Sequence, residues 1–239
     1  MKFTTFITRE IHKIKDLKGA KKWQYIWDYY QWPIIITVFL VVSIIATAIS
    51  LRNEKEIVLS GYLFDSYYSV DQDEPFVDFA DAAELDKEKY APEFLTNLTL
   101  YGMYAEISQQ FYATVAAGQT DFAASNSQTF LRLSYDCFKY FCDLRDILTP
   151  QQLEQLSDRL FYVDAYMLDK LDGQGTILLP DHDKPETMKD PVPIGIDIRD
   201  GRGVDVLYLG DEPVFMAILN NAPHLDMTLR FLDYLAIDK

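Results

Sequence analysis

The sequence predicts one N-terminal transmembrane helix followed by an α/β domain. The first observation is the segment 29–51, which contains no charged side chain. The second is the alternation of strand-like and helix-like patterns from residue 57 onwards, which is typical of a sheet covered by helices. The third is the charge distribution: residues 1–33 hold seven of the 22 Lys and Arg but three of the 37 Asp and Glu.

The segment 29–51 has the length and hydropathy of a membrane span, since about 20 helical residues cross a bilayer core. Tyr29 and Trp32 suit the bilayer interface, and Pro33 is predicted to lie in the first turn of the helix. Two alternatives stay open. One is a buried helix of a larger core. The other is a cleaved signal peptide, because Ala46-Thr47-Ala48 fits the A-x-A pattern.

An excess of Lys and Arg marks the cytoplasmic side of a membrane. Residues 1–33 carry a net charge of +4 and the remainder carries −19. We therefore expect 1–28 to be a cytoplasmic juxtamembrane segment and 52–239 to be extracytoplasmic. Residues 1–28 read either as a solvated tail or as a basic amphipathic helix on the lipid bilayer, with apolar positions Phe3, Ile7, Ile11, Ile14 and Leu17.

The first half of the predicted domain alternates between strands and helices. An apolar run from Ile57 to Phe64 indicates a buried strand, and residues 76–83 suggest a short helix. Residues 94–101 are predicted to form a second strand. Apolar residues recur every four positions through 102–117, which indicates a helix that Gly118 closes.

A third strand is predicted over 121–125, and either Asn126 or Ser127 can cap the helix that follows it. The motif Thr149-Pro150-Gln151-Gln152 predicts another helix start. The buried stripe of that helix is expected to contain Leu153, Leu156 and Leu160.

Three strand-like runs follow, at Thr176–Leu179, Pro193–Ile198 and Val204–Leu209. A closing helix begins near Pro223, and its apolar face is predicted to contain Leu225, Leu229, Leu232 and Leu235. Strands that alternate with helices predict a largely parallel sheet.

Ligands of parallel α/β domains bind at the carboxyl ends of the strands. In this sequence those positions are polar, and the residues predicted to bind a ligand are Asp65, Ser66, Tyr67, Tyr68, Ser125, Asn126 and Ser127. The alternative is that they only form turns and helix caps.

The sequence contains no motif of a known catalytic or phosphate-binding site, so we expect no enzyme, no cofactor and no metal. Asp181-His182-Asp183 resembles a metal-binding triplet but is read as a solvated loop. The net charge of −15 argues against nucleic acid as a partner.

The order of basic tail, KKWQYIWDYYQWPIII anchor and acidic domain resembles single-pass membrane proteins of low-GC Gram-positive bacteria. Within the domain, AAGQTDFAASNSQTFLRL, PVPIGIDI and AILNNAPHLDMTLRFLDYL resemble segments of extracellular solute-binding proteins. The resemblance implies a periplasmic-binding-protein-like α/β fold. It also implies a helix end near Cys137, which would permit a disulfide with Cys142; two free thiols are the alternative.

Two functions are consistent with these features. One is a membrane-anchored binding module that captures a small-molecule ligand or presents it to a membrane protein partner such as a transporter. The other is a non-catalytic protein-interaction subunit of an envelope or transporter complex. A polar cleft between two lobes would favour the first.

The charge asymmetry yields a prediction about topology. A reporter enzyme that is active only outside the cell, fused after Lys239, should be active. The matched fusion before Met1 should be inactive. The reverse pattern of activities would contradict the predicted orientation.

Overall fold

The computed structural model describes residues 19–53, 55–68, 75–100, 105–171 and 180–237. The chain divides into two compact units, 1–54 and 55–239. Two predicted features lie outside the described residues: the amphipathic pattern of residues 1–18 and the strand 176–179.

Within the described part of the first unit, residues Ala20–Asn53 form helix α1, which includes the apolar segment 29–51. The structure describes an unbroken run of its side chains over 31–47. Among the described residues, no helix combines the length and the hydropathy that a membrane crossing requires.

The prediction that Pro33 lies in the first helical turn is wrong, because α1 already begins at Ala20. Residues 20–28 contain no helix breaker, so the helix extends through them. Proline lacks an N–H group, and one carbonyl in the turn before it therefore loses its helical partner.

The hydroxyl of Thr37 donates to the Pro33 carbonyl at 2.8 Å, and that of Thr47 donates to the Ser43 carbonyl at 2.9 Å.

The second unit, which we call the α/β unit, is built around one six-stranded sheet. Its strands are β1 (Glu56–Phe64), β2 (Tyr90–Leu98), β3 (Phe122–Asn126), β4 (Leu160–Asp164), β5 (Pro191–Asp197) and β6 (Val214–Ile218). Its described helices are α2 (Phe79–Ala82), α3 (Ala105–Ala116), α4 (Ser127–Asp136), α5 (Leu144–Ile147), α6 (Pro150–Gln155), α7 (Ala165–Leu171), α8 (Val204–Leu207) and α9 (Leu225–Leu232). A π-helical turn, Asp233–Ile237, continues α9.

The strand order is β2-β1-β3-β6-β5-β4. The pairs β1–β2 and β1–β3 are parallel, whereas β3–β6, β6–β5 and β5–β4 are antiparallel. The prediction of an α/β class is confirmed, but the prediction of a largely parallel sheet is wrong. Helices cross over between β1, β2 and β3 in sequence, and such connections produce parallel neighbours; β6 instead returns directly beside β5.

Three predicted elements differ from the structure. The second strand spans 90–98 rather than 94–101. Leu160 begins β4, where it pairs with Ile196, because α6 already ends at Gln155. Val204 starts a short helix instead of a strand, since Gly203 turns the chain with a φ of +76°. Neither β4 nor β6 was predicted as a strand.

The local signals were more reliable. Strands β1 and β3 and helix α3 lie where they were predicted, and Gly118 follows α3 with a φ of +64°. The Asn126 side chain caps α4 by accepting a hydrogen bond from the Thr129 N–H at 3.0 Å. Thr149 and Gln152 form the predicted capping box.

The sheet buries apolar side chains on both of its faces, because consecutive residues of a strand point to opposite faces. On the first face, α9 contributes Phe231 and Leu232 to a core with Leu59, Leu63, Phe122 and Met216. On the second face, α3 and α4 cover a core that contains Tyr62, Phe64, Phe111, Phe130 and Phe161. Both layers are therefore needed to complete the unit.

The closing helix α9 packs as predicted. Leu232 is 0% exposed and Leu235 is 3% exposed, and the half-buried Leu225 and Leu229 contact the same core. The ring of Phe231 stacks on that of Phe122 with 5.3 Å between the centroids. The helix therefore has a structural role.

We expect Leu232→Ala to lower the free energy of unfolding by about 2–5 kcal/mol, the usual cost of truncating a buried leucine. The control is Leu209→Ala, whose side chain is 79% exposed and which should change stability by less than about 0.5 kcal/mol. Urea unfolding of the full chain, followed by near-UV circular dichroism of Tyr and Phe, measures both. Equal midpoints for the two variants would contradict the structural role of α9.

Candidate functional site

The two predicted ligand-binding loops meet in space. Strands β1 and β3 are parallel neighbours, with Leu63 opposite Ala124. Residues 65–68 and 125–127 therefore lie together where the two strands end. We call this end of the sheet the carboxyl edge. The hydroxyl of Thr129 donates a hydrogen bond to the Asp65 carboxylate and joins the two loops directly.

Asn97, which the sequence analysis missed, holds the end of β2 against the first loop. Its side-chain amide accepts a hydrogen bond from the Tyr68 N–H at 2.6 Å and donates one to the Tyr68 carbonyl at 2.7 Å. Asp65 and Asn97 both have a φ near +55°, at 55° and 57°. Asn and Asp tolerate this left-handed conformation better than most residues. That tolerance is the only sequence signal for the contact between Asn97 and the first loop.

Several predicted ligand-binding groups are occupied by bonds within the protein. The buried Ser66 hydroxyl donates to the Leu63 carbonyl at 2.6 Å and accepts from the Asn97 N–H at 3.2 Å. Asn126 caps α4, and the Ser127 N–H donates to the Pro213 carbonyl at 3.1 Å. The alternative of turns and caps accounts for these residues.

Ser125 and Tyr67 differ from the rest of the set. Ser125 is 0% exposed, and its hydroxyl has no hydrogen-bond partner in the part of the chain that the structure describes. The side chain of Tyr67 is 62% exposed, while Tyr68 packs against the core. Tyr67 is thus the predicted residue most accessible to a binding partner.

The connection between β5 and β6 covers part of the carboxyl edge. The Tyr67 N–H donates to the Leu207 carbonyl at 2.7 Å. The buried Tyr208 hydroxyl donates to the Ala124 carbonyl at 3.4 Å. Burial raises the pKa of Tyr208 well above its usual value, and the Asp65 carboxylate raises it further. Tyr208 is therefore a neutral hydrogen-bond donor that fastens the connection to β3.

Arg199 fixes the same connection from its other side. Its guanidinium donates to the Tyr208 carbonyl at 2.6 Å and also to the Gly210 carbonyl. Two carbonyl acceptors thus hold this cation in place. Arg199 was not among the residues predicted from the sequence.

A groove of about 1010 Å³ lies beside this connection. At one side of it Arg202 forms an ion pair with Asp78, and the Tyr234 hydroxyl donates to Asp78 at 2.5 Å. The hydrogen bond from Tyr234, together with the charge of Arg202, lowers the pKa of Asp78. The groove is lined by, among others, Phe79, Glu84, Arg199, Arg202, Asp205, Arg230 and Tyr234.

The opposite side of the sheet, which we call the amino edge, is organised by Asp121. This carboxylate is 0% exposed. It accepts hydrogen bonds from the Ser60 N–H and the His224 N–H, each at 2.7 Å, and His224 Nδ1 lies 3.1 Å away. All these partners belong to β1 or to the start of α9, so the carboxylate links elements of the fold.

The two cysteines are free thiols. Cys137 directly follows α4 and packs in the core of the second face, whereas Cys142 packs against the core of the first face. Burial raises the pKa of Cys137 to about 12 and that of Cys142 to about 11. Both thiols therefore stay protonated near neutral pH, and thiolate is the reactive form.

The loop that contains Asp181 and His182 is not simply solvated. The His182 ring stacks on Phe161, with centroids 4.5 Å apart, and its carbonyl accepts from the Tyr162 N–H at 3.0 Å. Asp181 forms an ion pair with Lys184. Within the described ranges, no three His, Cys, Asp or Glu side chains come together as a metal site.

The chain matches no protein-family model, no curated protein and no solved structure. The resemblance to solute-binding proteins therefore stays a prediction.

Proposed function

We propose that this protein is a membrane-anchored, non-catalytic binding module of the bacterial cell envelope. In this proposal α1 is the anchor and the α/β unit lies outside the cytoplasm, where it engages its partner through the carboxyl edge. The observation that carries the proposal is the carboxyl edge, in which the Tyr67 side chain is exposed while the neighbouring Ser66 and Asn126 make hydrogen bonds within the protein.

The anchor rests on the sequence of residues 29–51 and on the charges that flank them. Two features of α1 support it. Its large apolar side chains within residues 32–45 are exposed, from 46% at Ile34 to 69% at Phe39. The hydroxyls of Thr37 and Thr47 bond to carbonyls of their own helix, which satisfies them without water, as a membrane interior requires.

The form of the α/β unit favours a protein partner over a small ligand. The described residues form one sheet, with no second lobe that closes over the carboxyl edge. Small-ligand sites are concave and bury most of the ligand with a few polar groups that bind it. At the carboxyl edge, Ser66 and Asn126 already make hydrogen bonds within the protein. The open groove and the exposed Tyr67 suit a larger, convex partner.

Capture of a small ligand is the second candidate. The buried, unpartnered hydroxyl of Ser125 favours it, because such groups are rare unless they serve a function. The residue before it, Ala124, accepts a hydrogen bond from Tyr208 of the connection between β5 and β6, and we infer that a ligand would have to displace this connection to reach the Ser125 hydroxyl. The protein-interaction role is therefore the better supported of the two.

Site-specific photo-cross-linking in intact cells tests the proposal. A photoreactive amino acid in place of Tyr67 should give a discrete adduct with another protein. The same amino acid in place of Asp226, which is exposed at the start of α9, is the matched control and should give none. Adducts of equal yield from both positions, or none from Tyr67, would contradict the proposal. A mass gain of small-ligand size at Tyr67 would favour the second candidate.

A further inference from the structure

We propose that the carboxyl edge binds a segment of a membrane protein partner in which an apolar side chain is flanked by Lys or Arg. The inference rests on the proposed function and names the chemistry of the partner. The docking surface consists of three exposed apolar residues, Tyr67, Val206 and Leu209, and three acidic residues around them, Asp205, Asp211 and Glu212.

The apolar part of the docking surface is unusually exposed. Leu209 is 79% exposed, the highest value among the large apolar side chains that the structure describes, and Val206 is 43% exposed. The hydrogen bond between the Tyr67 N–H and the Leu207 carbonyl places Tyr67 beside them. Single exposed apolar residues are common, whereas exposed apolar residues that lie together are typical of interaction sites.

The charges around this group are unbalanced. Arg199 donates to two carbonyls and Arg202 pairs with Asp78, while Arg230 is a third cation in the lining of the groove. Among the residues that the structure describes, Asp205, Asp211 and Glu212 form no ion pair. The surface therefore presents three carboxylates whose charges a cationic partner would complement.

Other occupants fit this charge less well. An anionic bilayer surface would be repelled by the three carboxylates. A second copy would bring a like charge, because residues 34–239 carry a net charge of −19. The basic residues 1–33 have the right sign, but the proposed topology places them across the membrane. A basic segment of another protein in the same membrane remains, and tethering would raise its local concentration.

The test uses the full chain in nanodiscs of zwitterionic lipid and measures peptide binding by fluorescence anisotropy. The probe is a short peptide of alternating Lys and Leu, and its counterpart carries Glu in place of Lys. Asp211→Asn with Glu212→Gln removes two charges of the docking surface, and Leu209→Ser removes its main apolar contact. The matched control, Glu154→Gln with Asp226→Asn, removes two exposed charges elsewhere.

We expect the Lys–Leu peptide to bind the wild type and the control equally, and to bind each docking-surface variant about tenfold more weakly. Added salt should weaken binding to the wild type. Equal weakening in the control, equal binding of the Glu–Leu peptide, or no binding to the wild type would overturn the docking surface. These results leave the proposed function to the cross-link at Tyr67, which fails or succeeds independently of the charge of the partner.

Discussion

Asp121 carries a fully buried carboxylate, and removing such a charge from water is costly unless the protein supplies hydrogen bonds in return. The bonds come from Ser60 and His224, which lie 61 and 103 residues away in the sequence. The Asp121 backbone makes two more hydrogen bonds. Its N–H donates to the Ser60 carbonyl, and its carbonyl accepts from the Leu219 N–H. One residue thus ties the middle of β1 and the amino end of β3 to the end of β6 and to the start of α9.

The two edges of the sheet consequently differ in character. At the amino edge, the Asp121 carboxylate accepts hydrogen bonds from Ser60 and His224, whereas the buried Thr120 hydroxyl has no partner among the residues that the structure describes. At the carboxyl edge, Asn97 and Arg199 hold the loops in place, while Tyr67 and Leu209 stay exposed. A rigid sheet that presents exposed loops is a common basis for binding, because ordered loops lose less conformational entropy when a partner arrives.

The features that the sequence predicted correctly depend on neighbouring residues. The Asn126 cap, the Thr149 capping box and the turn at Gly118 are each encoded within a few positions. The sheet topology and the Asp121–His224 contact join residues far apart, and no local pattern reports such pairing. The same limit applies to the site. The two loops of the carboxyl edge could be predicted from the sequence, but the hydrogen bonds that Ser66 and Asn126 make within the protein could not.

The stability of Asp121→Asn tests most directly whether the buried carboxylate organises the α/β unit. An asparagine side chain has nearly the same shape as aspartate but carries no charge. Its amide NH₂ group would face a backbone N–H, and two donors cannot form a hydrogen bond with each other. The full chain should therefore lose about 2–3 kcal/mol of unfolding free energy, and hydrogen exchange should speed up at the amides of both Ser60 and His224. Asp226→Asn, an exposed change at the start of the same helix, should leave both measurements unchanged. Wild-type stability and wild-type exchange in Asp121→Asn would contradict the account.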